Sequence, residues 1–282
     1  MSVETAHQQV PPLRERILRL AAINARDDDY FEQVADVVSG DPGLTGLAFR
    51  VANSPAYGAT TRSTRLPECL ARIGAKRYVG LAIGSGTAIA FGPNSDGDFA
   101  LWRHAVLVAA GNRYIAFFAS DMGLDPDFAF TLGVIHNVGA MVLAQQDPKA
   151  YAAVLDQAKF WDGSHIELER EALGTDHVEF GTRVAAEWRL PAEFQEVVRH
   201  HHAEPLPEPL AKQPHLLVTK ASLAMSELLL GDDQTDGWRQ VAAAIESCGV
   251  PDCDEQWVLE AAAQINDTAQ PDLQVLVDSI QR

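Results

Sequence analysis

Apolar positions recur along this chain at helical spacing. In residues 11–23, PPLRERILRLAAI, Leu13, Ile17, Leu20 and Ala21 fall three and four apart and share one face. The two prolines stand where a helix would begin. YFEQVADVVSG repeats the pattern and stops at Gly40, a natural residue just past a helix end. DPGLTGLAFRVAN opens with Asp41 as N-cap and Pro42 in the first helical position. SHIE (164–167) and DHVE (176–179) match the capping box, the second with Asp in the Ser/Thr role. Pro191 opens a further helix after one that ends near Trp188. No run alternates with period two between turn signals. The pattern predicts an all-α protein of a dozen or more helices and no sheet.

Three polar breaks divide the pattern. GPNSDGD (92–98) separates a first helical group, about residues 10–92, from a long helix starting near Phe99. AEPLPEPLAKQP (203–214) carries four prolines in twelve residues and predicts an extended loop within a second group of about 98–230. GDDQTDG (231–237) opens a tail, 231–282, with eleven acidic and two basic residues. Helical patches such as WVLEAAAQI persist there, which predicts ordered helices with a solvated acidic surface.

Composition narrows the function classes. The 282 residues are 47% apolar and 22% charged, enough for a core and against global disorder. The net charge of −17 disfavours binding to nucleic-acid phosphates. Cys69, Cys248 and Cys253 imply no disulfide framework; Cys248 and Cys253 read as ordinary thiols rather than a zinc site. The opening MSVETAHQQVPPLRER has no basic region followed by an apolar run, so no secretory leader is expected. LAIGSGTAIAFG (81–92) is too short and glycine-rich to span a bilayer. The expectation is a cytoplasmic protein without membrane contact.

The chemistry lies in histidines. His104 sits in LWRHAVLVAA, His136 beside Asn137 in GVIHNVGAMVLA, and His177 in TDHVEFG. His200, His201 and His202 are consecutive near a helix end, where imidazolium suits the helix dipole. Successive helical residues point about 100° apart, so at most two of the three face one cleft. His165 and His215, near turns, read as surface residues. A dinuclear hydrolytic centre needs neutral imidazoles and a bridging carboxylate. The amide of Asn137 has no charge and bridges poorly. Taken alone, His104 and His136, on mostly apolar helices, read as hydrogen-bonded core residues.

Taken in order, the segments resemble the HDOD family, relatives of the HD phosphohydrolases. The resemblance rests on VPPLRERILRLAAI, VADVVSGDPGLTGLAFRVANSPAYG and LARIGAKRYVGLAI. It continues through LWRHAVLVA, FTLGVIHNVGAMVLA and EREALGTDHVEFGTRVAAEWRLPAEFQEVVRHHH, from about residue 10 to 230. It implies an HD-like helical bundle over about 98–230, preceded by an N-terminal helical subdomain.

Against the pattern of the active phosphodiesterases, His104 matches the first histidine and His136 the histidine of the HD pair. Asn137 replaces the aspartate of that pair. His177 resembles the later histidine at a helix start, and His200 and His201 the paired histidines. Ser222 stands where the last aspartate is expected. Gly139 keeps the signature glycine, Ala140 replaces its lysine, and the element after the paired histidines is absent. The imidazoles survive and both carboxylates are gone.

The resemblance therefore implies a non-catalytic signalling or scaffold module that binds a protein partner in trans or a small ligand such as a nucleotide. No cofactor is expected, although His136, His177, His200 and His201 could hold one divalent ion. The alternative is a metal-dependent phosphohydrolase acting on a nucleotide or cyclic dinucleotide. It would need carboxylates from elsewhere, with Asp121, Asp176 and Glu179 as candidates. In ANSPAYG, Pro55 and Gly58 mark a helix exit, Tyr57 an anchor and Asn53 a cap. That segment, with Arg72, Lys76 and Arg77, reads as a structural hinge, its basic residues free to meet an acidic partner.

Overall fold

The computed structural model describes residues 10–57, 61–91, 96–158, 164–231 and 237–280. Helices α1 Glu15–Ala22, α2 Tyr30–Ser39, α3 Pro42–Ala52, α4 Leu66–Ile73 and α5 Ala75–Phe91 come first. The middle of the chain forms α6 Asp96–Phe118, α7 Pro126–Ile135, α8 Val138–Gln146, α9 Pro148–Gln157 and α10 Ser164–Leu173. Then follow α11 His177–Glu187, α12 Ala192–His200, α13 Pro214–Leu230, α14 Gly237–Glu246 and α15 Glu255–Ile280. No strand occurs among the described residues, so the all-α expectation holds.

Short acidic caps start several of these helices. Asp41, Asp125, Asp147 and Asp176 each accept backbone N–H groups in the first turn of α3, α7, α9 and α11. Such a cap is worth about 1 kcal/mol. α1 begins at Glu15, three residues after the prolines, and α6 three residues before Phe99. Gly40 ends α2 with φ −79°, not in the left-handed region. Asp41, the cap of α3, follows Gly40 directly, and the Gly40 site lies tight beneath the Arg16 guanidinium. The Ser164 side chain, Gly58, and most of the polar breaks near 92 and 232 lie outside the described residues.

Two apolar clusters fill the interior. One joins α1–α5, through residues such as Leu20, Val51 and Tyr78, to Phe130, Phe180 and Phe194 of α7, α11 and α12. The other joins Trp102 and Ile115 of α6 to Met225, Ile245 and Ile265 of α13, α14 and α15. Each fully buried large side chain contributes about 1.5–3 kcal/mol. Residues 126–146 are apolar on every side and long enough to cross a membrane, but 89% of their most apolar window is buried inside the fold.

Two glycines set the approach of the helices that carry the histidines. At Gly133 a Cβ would meet the Ala109 backbone nitrogen at 2.6 Å, so α7 lies directly against α6. At Gly139 it would collide with the His177 carbonyl and meet the Gly181 nitrogen at 2.7 Å, so α8 lies directly against α11.

The tail is tied to the first helices. Arg77 donates through Nη2 to both carboxylate oxygens of Asp272, at 3.1 and 2.9 Å, and the Tyr57 hydroxyl donates to Oδ1 at 3.0 Å. Asp272 is 1% exposed, so the reading of the tail as a solvated acidic surface fails at this residue. Asn53 caps as expected: its amide donates to the carbonyls of Phe49 and Ser63 and accepts the Ser63 N–H. Arg72 donates to the Ala52 carbonyl, and Lys76 pairs with Asp125 at 3.0 Å. The three cysteines are buried and free.

Candidate functional site

Six histidines meet where α6, α7, α10, α11 and the end of α12 converge. They form two hydrogen-bonded dyads and a flanking pair. In the first dyad, His104 and His136 approach Nε2 to Nε2 at 3.2 Å. His136 Nδ1 lies 2.7 Å from the Gly133 carbonyl and must donate to it. In a neutral His136 the Nε2 is then an acceptor, so His104 donates from Nε2. His104 Nδ1 in turn accepts from the Ser226 hydroxyl at 2.9 Å. Both nitrogens of both rings are thereby engaged, and the dyad is neutral.

The second dyad is His177 and His201, also 3.2 Å apart at Nε2. His201 Nδ1 donates to the carbonyls of Val198 at 2.9 Å and Val197 at 3.2 Å, which leaves its Nε2 as an acceptor. His177 Nδ1 faces Glu169 Oε2 at 2.7 Å. Glu169 also accepts the His177 backbone N–H at 2.8 Å and the Tyr151 hydroxyl at 2.6 Å. A carboxylate with these three donors requires a proton on His177 Nδ1. With Nδ1 of both rings donating, the 3.2 Å contact between the two Nε2 atoms is satisfied by a cation there, whether a proton or a metal ion.

His165 and His202 complete the array. The rings of His165 and His177 stack at 4.7 Å with 15° between planes. His202 stands edge-on to both, 5.2 and 5.1 Å away, and 4.3 Å from the ring of His201. His136 and His201 are 5.2 Å apart and join the two halves. Burial, more than the neighbouring imidazoles, pushes the pKa of His104 and His201 well below the usual histidine value and that of His136 down to about 4. His202 is lowered by the same causes. For Glu169, burial alone would raise the value; the charge of His177 and the three hydrogen bonds outweigh it and hold the group below the usual range.

Of the residues singled out in the sequence, His104, His136, His177 and His201 come together. Asn137 lies beside His136, 1% exposed, and its Oδ1 has no hydrogen-bond partner among the described residues. His200 does not join: it is the last residue of α12, half-buried, and His201 and His202 provide the adjacent pair instead. Two of the three consecutive histidines face the site, the number helical geometry allows. Ser222 turns its hydroxyl back to the Val218 carbonyl and packs on Gly111; Ser226, one turn further, reaches His104.

His165 and His215 are corrections. Both are buried, 2% and 6% exposed; His165 lies in the array and His215 pairs with Glu196 at 2.7 Å. Of the carboxylates named as replacements, Asp176 is spent on the α11 cap and on Arg170, while Asp121 and Glu179 are exposed. Glu169 is the carboxylate the array holds, and it went unrecognised. The spacing His165-x-x-x-Glu169, two polar groups on one helix face four residues apart, was the available signal.

Comparison with known proteins agrees with this architecture. The HDOD domain model matches residues 10–204. No curated protein was found to match. An HDOD domain protein of unknown function from Geobacter sulfurreducens has 22% identity and a TM-score of 0.69, covering 92% of this chain and 93% of its own. A candidate phosphohydrolase from Shewanella amazonensis SB2B has 21% identity and a TM-score of 0.67, covering 96% and 94%. A candidate signal transduction protein from Marinobacter aquaeolei VT8 has 22% identity and a TM-score of 0.73, covering 95% of this chain and 60% of its own.

Proposed function

Because this chain belongs to the HDOD domain family, we propose that it is a non-catalytic signal-transduction or scaffold module of bacterial cytoplasmic signalling, acting on a protein partner in trans. The observation that carries this reading is Asn137. It occupies the position of the HD aspartate, buried beside His136, and cannot supply the negative bridge that two hydrolytic metal ions require. Ser226 and Ser222 add no charge on α13. The rings of His104 and His136 are 2% and 1% exposed, with every nitrogen engaged, so a phosphate ester has no open approach to that pair.

A second feature favours protein binding. Phe117 and Phe118 are 67% and 44% exposed, and Phe118 packs edge-to-face on both Phe117 and Trp257. They border a groove of about 450 Å³ between α6, α7 and α15. Exposed aromatic patches of this kind mark interaction surfaces.

The test is hydrolysis of bis-p-nitrophenyl phosphate and of cyclic dinucleotides, with manganese, iron or zinc supplied. The module reading predicts no turnover above that of the His136→Ala variant. Turnover abolished by His136→Ala would establish the phosphohydrolase reading instead. A nucleotide that raises the melting temperature without being consumed would make the module a ligand sensor.

A further inference from the structure

Three imidazoles outside the His104–His136 dyad converge from separate elements. His165 comes from α10, His177 from the first position of α11, and His202 from just beyond α12. One ring nitrogen of each lies within 4.8 Å of the others. His104 and His136 have no nitrogen left to give, whereas His177 of this group is held by a carboxylate. Glu169 holds His177 by its Nδ1 and by its backbone N–H, which fixes the ring with Nε2 turned toward the other histidines. A carboxylate behind a histidine is the usual device for orienting a metal ligand and raising its basicity.

The His177–His201 contact is compatible with such a site. With Nδ1 of both rings donating, the two Nε2 atoms, 3.2 Å apart, are satisfied by a shared proton or by a nearby metal ion. Two nitrogens bound to one tetrahedral ion with bonds of about 2.0 Å stand about 3.3 Å apart. We propose that His165, His177 and His202 form a mononuclear site for a divalent transition metal, with Glu169 as its positioning residue and His201 adjacent. An all-imidazole donor set selects the zinc, nickel and copper class over magnesium or calcium. Binding needs the three rings to draw together by about 1 Å, within the reach of small side-chain rotations. The site stands or falls independently of whether the chain hydrolyses anything.

The experiment is titration of the chelator-stripped full-length chain with Co²⁺, followed by visible absorption, and with Zn²⁺, followed by melting temperature. One equivalent is expected to give the absorption of nitrogen-ligated cobalt and to raise the melting temperature. His202→Ala, at a half-buried position, and His165→Asn, which keeps a polar side chain there, should each abolish the cobalt spectrum while circular dichroism stays unchanged. His136→Ala should leave the spectrum intact. Glu169→Gln should keep one equivalent and weaken its affinity about 10–100-fold. No binding by the wild-type chain overturns the proposal. So does a spectrum that survives both His165→Asn and His202→Ala, or one that disappears in His136→Ala.

Discussion

Glu169 Oε2 lies 2.7 Å from His177 Nδ1, and both side chains are completely buried. Removing one partner of such a pair leaves a buried charge and unsatisfied donors. Glu169→Ala is therefore expected to destabilise the fold by about 3–5 kcal/mol, read by urea denaturation. Tyr151→Phe, which deletes a single hydrogen bond to the same carboxylate, should cost about 1–2 kcal/mol. Equal effects from the two would mean that the carboxylate is not the centre of the network.

The approach of α8 to α11 depends on Gly139. A methyl group there meets backbone, the His177 carbonyl and the Gly181 nitrogen, which cannot move aside as a side chain can. Gly139→Ala should cost about 1–3 kcal/mol or more. It should also displace His177 relative to His136, visible as shifted imidazole resonances. Gly123→Ala is the useful contrast: open space surrounds that site, and its φ of +67° makes any loss one of backbone strain alone.

Acid should unfold metal-free protein earlier than its carboxylates alone would. His104, His136 and His201 are buried neutral, with pKa values below that of an unfolded histidine, about 6.5. Between the two values the unfolded chain binds more protons than the folded one, so stability rises with pH. Their contribution is complete above about pH 6.5 and is lost as pH falls toward the folded values. His136, with its folded value about 4, contributes on the order of 3 kcal/mol to that loss. Melting temperature measured from pH 7.5 to 4.5 should fall more steeply in the wild type than in His136→Gln.

Asp272 is the anchor of α15 on the first helices. Asp272→Ala leaves Arg77, whose side chain is 15% exposed, without its counter-ion and Tyr57 without its acceptor. A loss of about 3–5 kcal/mol is expected, with partial recovery in Arg77→Met/Asp272→Leu. Hydrogen exchange should show α15 losing protection first. Uniform loss across the chain would mean that the tail is not tied at this point.

Helix phase was legible where one face is apolar and the other polar. Leu13, Ile17 and Leu20 point inward as their spacing predicts, and Asp41 and Asp176 cap where they should. Where phase vanishes, register was lost. α13 is apolar on most sides, so nothing in its pattern distinguished Ser226 from Ser222, one turn apart. α12 ends at His200, so the directions of His201 and His202 depend on how the chain leaves the helix. His165, near a helix start, reads locally as exposed; only the packing of α10 beneath α11 buries it. Asp272 shows the same limit, because its partner Arg77 is 195 residues away.

Counting metal ions per chain tests the central claim most directly. Protein purified without chelators, then saturated with manganese, iron or zinc and freed of excess, is measured by elemental analysis. An array without a bridging carboxylate at position 137, and with an imidazole group around His177, predicts one ion per chain. Two ions per chain would contradict the account, because they would require the bridged centre that Asn137 is argued to forbid.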